Sequence, residues 1–150
     1  MSVYKLEIKR EKVSEEDVIL MNASDTLRFI HSTNIYKDED LWREKLSAIF
    51  LNKSNKVLGY SVLSTGGHDK TIMDLKEVGK YALDALADNV ILIHNHPSGN
   101  PMPGQTDINE TNKIRTGLKT LQIHLLDHII LGEGKYFSFQ EETIKPIQAL

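Results

Sequence analysis

The spacing of apolar positions switches along the chain between two and three-to-four, and each switch marks an element. Val3 to Lys9 alternates apolar with charged residues and predicts a strand. Ser24 and Asp25 open a short helix that carries Ala23, Leu27 and Ile30 on one face. Glu44 to Leu51 (EKLSAIFL) predicts a strand, Asn52 to Asn55 a turn, and Lys56 to Leu63 the return strand, closed by Gly66 and Gly67. From Asp74, a suitable N-cap, the residues Leu75, Val78, Ala82, Leu83 and Leu86 recur at helical period. Val90 to Ile93 is a continuous apolar run, as in a strand buried on both faces. Thr106 is placed to cap a helix in which Ile108, Ile114, Leu118 and Leu121 share a face; Gln122 to Leu131 and Tyr136 to Phe139 follow as strands. The order β-α-β-β-α-β-α-β-β predicts an α/β fold, a mixed sheet flanked by helices. The acidic run Asp38 to Asp40 is expected in a solvated loop, and Trp42 and Phe50 in the core.

No repeat or Pro/Gly-rich linker divides the 150 residues, which therefore read as one domain, 1–150. A formal charge of −3, from 18 basic and 21 acidic side chains, gives no nucleic-acid signature, which requires a basic face. The chain has no cysteine. Disulfides, thiolate metal sites and cysteine nucleophiles are excluded together, so any metal must be held by imidazole and carboxylate. No stretch approaches the roughly 20 apolar residues that span a bilayer, and the first ten residues lack a signal-peptide core. A cytoplasmic location without membrane contact is expected.

The chemistry concentrates in one loop, His94-Asn95-His96-Pro97-Ser98-Gly99-Asn100-Pro101-Met102-Pro103-Gly104-Gln105, at the end of the buried Val90–Ile93 strand. Residues two apart on a strand face the same way, so His94 and His96 can aim both imidazoles at one point. Asp107 follows in the first turn of the next helix, returned by a connection stiffened with three prolines. Two histidines and one carboxylate leave a zinc ion one open position, the arrangement of a site that activates water. Other zinc signatures fail: deaminases need a later Cys-x-x-Cys, and His-x-His-x-Asp-His would need aspartate where Ser98 stands. From the residues alone, a proton acceptor could be Asp38, Glu39, Asp40, Glu44 or Glu77. Asp127 and His128 alternate faces of a strand, so at most one points at the site; Asp127 could orient a ligand histidine or be hydrogen-bonded locally. His31, His68 and His124 read as surface or loop residues.

The segment His94 to Asp107 (HNHPSGNPMPGQTD) resembles the JAMM metal motif of JAB/MPN domains, and within them the RadC-like branch with its HNHPSG core. Val57-Leu58-Gly59, Ser64-Thr65-Gly66-Gly67, Ala82-Leu83, Leu126-Asp127-His128-Ile129-Ile130 and Tyr136-Phe137-Ser138-Phe139 extend the resemblance across about residues 3 to 142. It implies a single JAB/MPN-like, cytidine-deaminase-like domain without the helix-hairpin-helix region that full-length relatives carry upstream. It implies one zinc ion per chain on His94, His96 and Asp107, with Glu44 as general base, in a metallohydrolase that cleaves peptide or isopeptide bonds in a peptide or protein substrate. The family pattern has a serine seven residues beyond the second histidine, where this chain has Gly104. That serine is thought to donate to the oxyanion, and losing one such donor costs about 10²–10³ in rate. Ser98 and Thr106 are the nearby hydroxyls, with Ser98 in the Pro-Ser-Gly turn. Two expectations therefore stand: a zinc hydrolase weakened at position 104, or a non-catalytic zinc-binding interaction module, which the family name associates with DNA repair.

Overall fold

The computed structural model describes residues 1–37, 41–66 and 73–148. Among these, three helices and six strands follow one another as α1 (Ala23–Thr33), β1 (Lys45–Leu51), β2 (Val57–Thr65), α2 (Leu75–Asp84), β3 (Asn89–Asn95), α3 (Gln105–Thr120), β4 (His124–Leu131), β5 (Lys135–Ser138) and β6 (Thr143–Pro146). The strands make one mixed sheet in the order β2-β1-β3-β4-β5-β6. β3 and β4 are parallel, joined by α3, and every other neighbouring pair is antiparallel.

Period-two alternation divides the central strands between two cores. Ile49, Leu51, Ile91, Ile93, Ile129 and Leu131 face α1, where Ala23, Leu27 and Ile30 cover them. Ala48, Phe50, Val90, Leu92 and Leu125 face the other way, under Val78 and Ala82 of α2 and Ile114 and Leu118 of α3. The α/β expectation is met, with helices on both faces of a mixed sheet. In β4 the pairing slips by one residue between Leu125 and Asp127. That irregularity turns His128, not Asp127, toward the α3 layer.

Several local expectations are corrected. Val3–Lys9 is not a strand: residues 8–14 border a groove whose other walls include Phe50, Leu58, Tyr60 and Tyr81, and Arg10 grips Asp84 Oδ2 through Nη2 at 2.8 Å. The alternation neither pairs with a sheet edge nor buries its apolar side chains: Val3, Tyr4 and Leu6 are exposed. α1 is capped by Asn22, whose Oδ1 accepts the Asp25 N–H at 2.9 Å, two residues before the expected Ser24. α3 starts at Gln105 with Gly104 as N-cap, so Thr106 already lies inside the helix. β6 was not foreseen; its short sequence Thr-Ile-Lys-Pro shows little alternation and much exposure. The expectations for Asp38–Asp40, Gly67 and His68 lie outside the described residues.

Candidate metal centre

The site forms where the carboxyl end of β3 meets the amino end of α3. His94 continues the face of Val90 and Leu92 and is 1% exposed. The chain beyond it is pinned by two glycines. Gly99 turns with φ +84°, a left-handed conformation that suits glycine, and its carbonyl accepts the Glu133 N–H at 2.8 Å. At Gly132 a Cβ would stand 2.4 Å from the Gly99 carbonyl oxygen, so only glycine permits the approach. The helix α3 then presents a buried stripe of Asp107, Thr111, Ile114 and Leu118. Its first two members are polar and sit at the site. Asp107 reaches back to accept the Gly104 N–H at 2.8 Å, which fixes its carboxylate at the helix start.

The ligand atoms of Glu44, His94, His96 and Asp107 all lie within 4.8 Å of one another, and this group could hold a metal ion. His94 Nε2 is 3.4 Å from Asp107 Oδ1, and His96 Nε2 is 3.3 Å from Asp107 Oδ2. The two imidazoles bring their Nε2 atoms to 3.0 Å. Behind His96, Nδ1 donates to the Asn100 carbonyl at 2.8 Å, so its Nε2 is the free lone pair of the neutral ring. Nitrogens and carboxylate oxygens converging this closely are favourable only with a cation among them, a proton or a metal. Two imidazoles and a carboxylate suit a borderline divalent cation such as zinc. The residues present therefore fit the group.

Electrostatics agree with that fit. Burial opposes charge on His96, but hydrogen bonds to Asp107 and the Asn100 carbonyl outweigh it and raise the imidazole above its ordinary value. Burial likewise opposes charge on Asp107, yet His94, His96 and the Gly104 N–H hold its carboxyl well below the usual carboxylate range. The site is thus a ready anionic receptor for a positive charge.

Glu44 sits just before β1, nearly buried, with Oε1 3.7 Å from His94 Nε2. Its backbone is held from both sides by Asn95, which lies between the two histidines and points to the opposite face of β3. Asn95 Oδ1 accepts the Lys45 N–H at 2.8 Å, while Nδ2 donates to the carbonyls of Arg43 at 2.8 Å and Leu41 at 3.2 Å. Tyr36 adds a second clamp, its hydroxyl donating to the Ile93 carbonyl at 2.7 Å and lying 2.9 Å from Ser47 Oγ.

Other expected residues fall elsewhere. Asp127 does not meet a ligand imidazole. It accepts from Ser138 Oγ and from the N–H groups of His128 and Gln140, an internal brace of β4 against the segment after β5. Burial, opposed by those bonds, leaves its carboxyl raised. His128, for which the sequence offered only the alternation, is the member of the pair that touches a candidate ligand: its Nε2 lies 2.7 Å from His94 Nδ1. Burial, and then the neighbouring His94, push His128 well below the ordinary imidazole value. Ser98 Oγ accepts the Asn100 N–H at 3.3 Å, a bond within its own turn. Phe50 is core, as expected, but Trp42 is not: it is 51% exposed with the Arg43 guanidinium 4.2 Å above its ring. Trp42 lines a cleft of about 790 Å³ together with His96, Leu41 and Leu131. His31 lies on the same cleft, and His124 is exposed at the start of β4.

Sheet, loop and ligand set together define an α/β domain with a His/Asp/Glu group able to hold a metal ion. Residues 19–144 match the RadC-like JAB domain, and the chain belongs to that family. It is 34% identical to a UPF0758 protein of Aquifex aeolicus over 137 residues, 91% of this chain and 57% of that protein. It is 45% identical to a UPF0758 protein of Flavobacterium johnsoniae over 105 residues, 70% of this chain and 46% of that one. A UPF0758 protein of Methanococcoides burtonii is 40% identical over 126 residues, 80% of this chain and 55% of its own length. The chain thus spans about half the length of these relatives. Among the described residues no helix is long and apolar enough to cross a membrane.

Proposed function

We propose that this domain is a zinc-dependent hydrolase of peptide or isopeptide bonds, with His94, His96 and Asp107 holding the metal and Glu44 moving the proton. The observation that carries this reading is the fourth group: a nearly buried carboxylate, brought by the segment just before β1 to within 3.7 Å of His94 Nε2. Three protein ligands leave zinc a position for water, as catalytic sites do. Bound there, zinc would supply Lewis acidity toward a carbonyl oxygen and toward water. Glu44 takes one proton from the water as its oxygen bonds to the carbonyl carbon, and returns it to the amine nitrogen as the C–N bond breaks. Asn95 holds the backbone on either side of Glu44, so the acceptor is aimed before substrate arrives. The cleft that His96 and Trp42 line, on the α1 side of the sheet, offers an apolar surface for part of a polypeptide substrate.

Position 104 supports a second reading. Gly104 has no hydroxyl, and its N–H is engaged by Asp107, so it offers nothing to a developing oxyanion. A zinc-stabilised module that receives a partner protein in the same cleft requires no such donor. Turnover separates the two. Zinc-loaded protein is incubated with a library of peptides and isopeptide-linked peptides, and kcat/KM is compared with Glu44→Gln. The hydrolase reading expects a loss of about 10²–10⁴-fold with zinc content unchanged. Equal cleavage by both proteins, or none by either, would overturn it in favour of the module.

A further inference from the structure

His128 takes no part in the proton transfer just described, although it is fully buried and touches a ligand ring. It stands in a chain of three short contacts. Thr111 Oγ1 donates to the Asp107 carbonyl at 2.6 Å; Thr111 Oγ1 lies 2.7 Å from His128 Nδ1; and His128 Nε2 lies 2.7 Å from His94 Nδ1. A hydroxyl has one proton, and a carbonyl can only accept. Thr111 therefore gives its proton to Asp107 and must accept from His128, which places the His128 proton on Nδ1. The bare Nε2 of His128 then accepts from His94 Nδ1–H, and His94 is left with a lone pair on Nε2, the nitrogen that faces His96 and Asp107. Reversing the direction would leave the hydroxyl-to-carbonyl bond unmade and put a hydrogen on Nε2, in the place of the metal. Phe139 stacks on the other side of the His128 ring, with centroids 4.9 Å apart and planes at 6°, and shields the chain from solvent.

We propose that Thr111 and His128 are positioning residues that fix the tautomer of His94 and so create one of the metal-binding nitrogens. The relay also closes a circuit, because it begins on the backbone of Asp107, a ligand on α3, and ends on His94, a ligand on β3. Partners of this kind are typically worth about 10–100-fold in metal affinity. The inference rests on the metal-binding part of the reading above, and not on catalysis.

Its test begins on metal-free, ¹⁵N-labelled wild type above about pH 8, where free imidazoles are neutral. Long-range ¹H–¹⁵N spectra should show His94 and His128 protonated at Nδ1; a His94 protonated at Nε2 overturns the proposal. Zinc affinity is then measured by competition with a chromophoric chelator. Thr111→Val should lose about 10–100-fold, and Thr111→Ser, which keeps the hydroxyl, should recover to within about threefold of wild type. Unchanged affinity in Thr111→Val, or an equal loss in both variants, overturns it, the latter by pointing to packing rather than hydrogen bonding. Should Thr111→Val not fold, the wild-type spectrum decides. Because that spectrum is recorded without zinc, failure of the relay is distinguishable from failure of the wild type to take up metal.

Discussion

Gly104 has φ −80°, a conformation open to any residue, and a Cβ built there would meet only Asp107 Oδ2, at 3.5 Å. Serine therefore fits without displacing the ligand, and it is a natural first residue for a helix. Under the hydrolase reading, Gly104→Ser should raise kcat/KM by about 10²–10³-fold while zinc affinity stays the same. An unchanged rate would show that a hydroxyl at 104 is not what limits the site. The three candidate ligands were legible at this scale because their chemistry and spacing are local: two histidines two apart on a strand, and an aspartate at the next helix start. His128 was not, because the face it occupies depends on the one-residue slip in β4, which alternation does not report. A signal for Thr111 did exist. It lies four residues from Asp107 on a stripe that continues through Ile114 and Leu118, a polar pair on an otherwise apolar face.

At the scale of elements, β3 serves two faces at once. Its even positions end in His94, under α3, and its odd positions end in Asn95, on the side of α1. Asn95→Ala would leave the Lys45 N–H and the carbonyls of Leu41 and Arg43 without their partner. We expect a loss of about 1–3 kcal/mol in stability by denaturant titration. Under the hydrolase reading Glu44 would also lose its aim, so kcat should fall well below wild type while zinc affinity remains within about threefold. A fall in affinity as large as the fall in kcat would place Asn95 with the ligands instead. The elements themselves were largely legible, since α1, α2 and α3 carry helical spacing and β1 to β4 read as apolar or alternating runs between turn residues. Their ends were less so. Caps depend on a single backbone geometry, as with Asn22 and Gly104, and the period of Val3–Lys9 carries no mark of whether a sheet edge will receive it.

For the whole molecule, the charged pair His96–Asp107 sets a pH dependence in the metal-free form. The raised His96 contributes stability that is complete below its ordinary titration near 6.5 and is lost as pH rises through its folded value. The depressed Asp107 contributes stability that is present above the ordinary carboxylate range and is lost only in acid. The raised Asp127 acts in the same direction as His96, its contribution fading as pH climbs. The depressed His128 acts the other way, its contribution complete above the ordinary imidazole value and lost as pH falls below it. Metal-free protein should therefore melt highest at about pH 6.5, and lower both toward acid and toward about pH 8. A zinc ion needs the deprotonated imidazole, so zinc-loaded protein should show the opposite slope between that maximum and about pH 8. Thermal melts with chelator and with zinc across this interval check the expectation; parallel slopes would contradict it.

The loop beyond His96, seated by Gly99 and Gly132 against the β4–β5 turn, has a consequence for access. His94 and Asp107 are buried, and His96 is the more exposed imidazole of the pair. A cation lodged between them would meet the surrounding medium from the His96 side. A chelator would then approach from that side, past an imidazole whose following turn the two glycines hold in place.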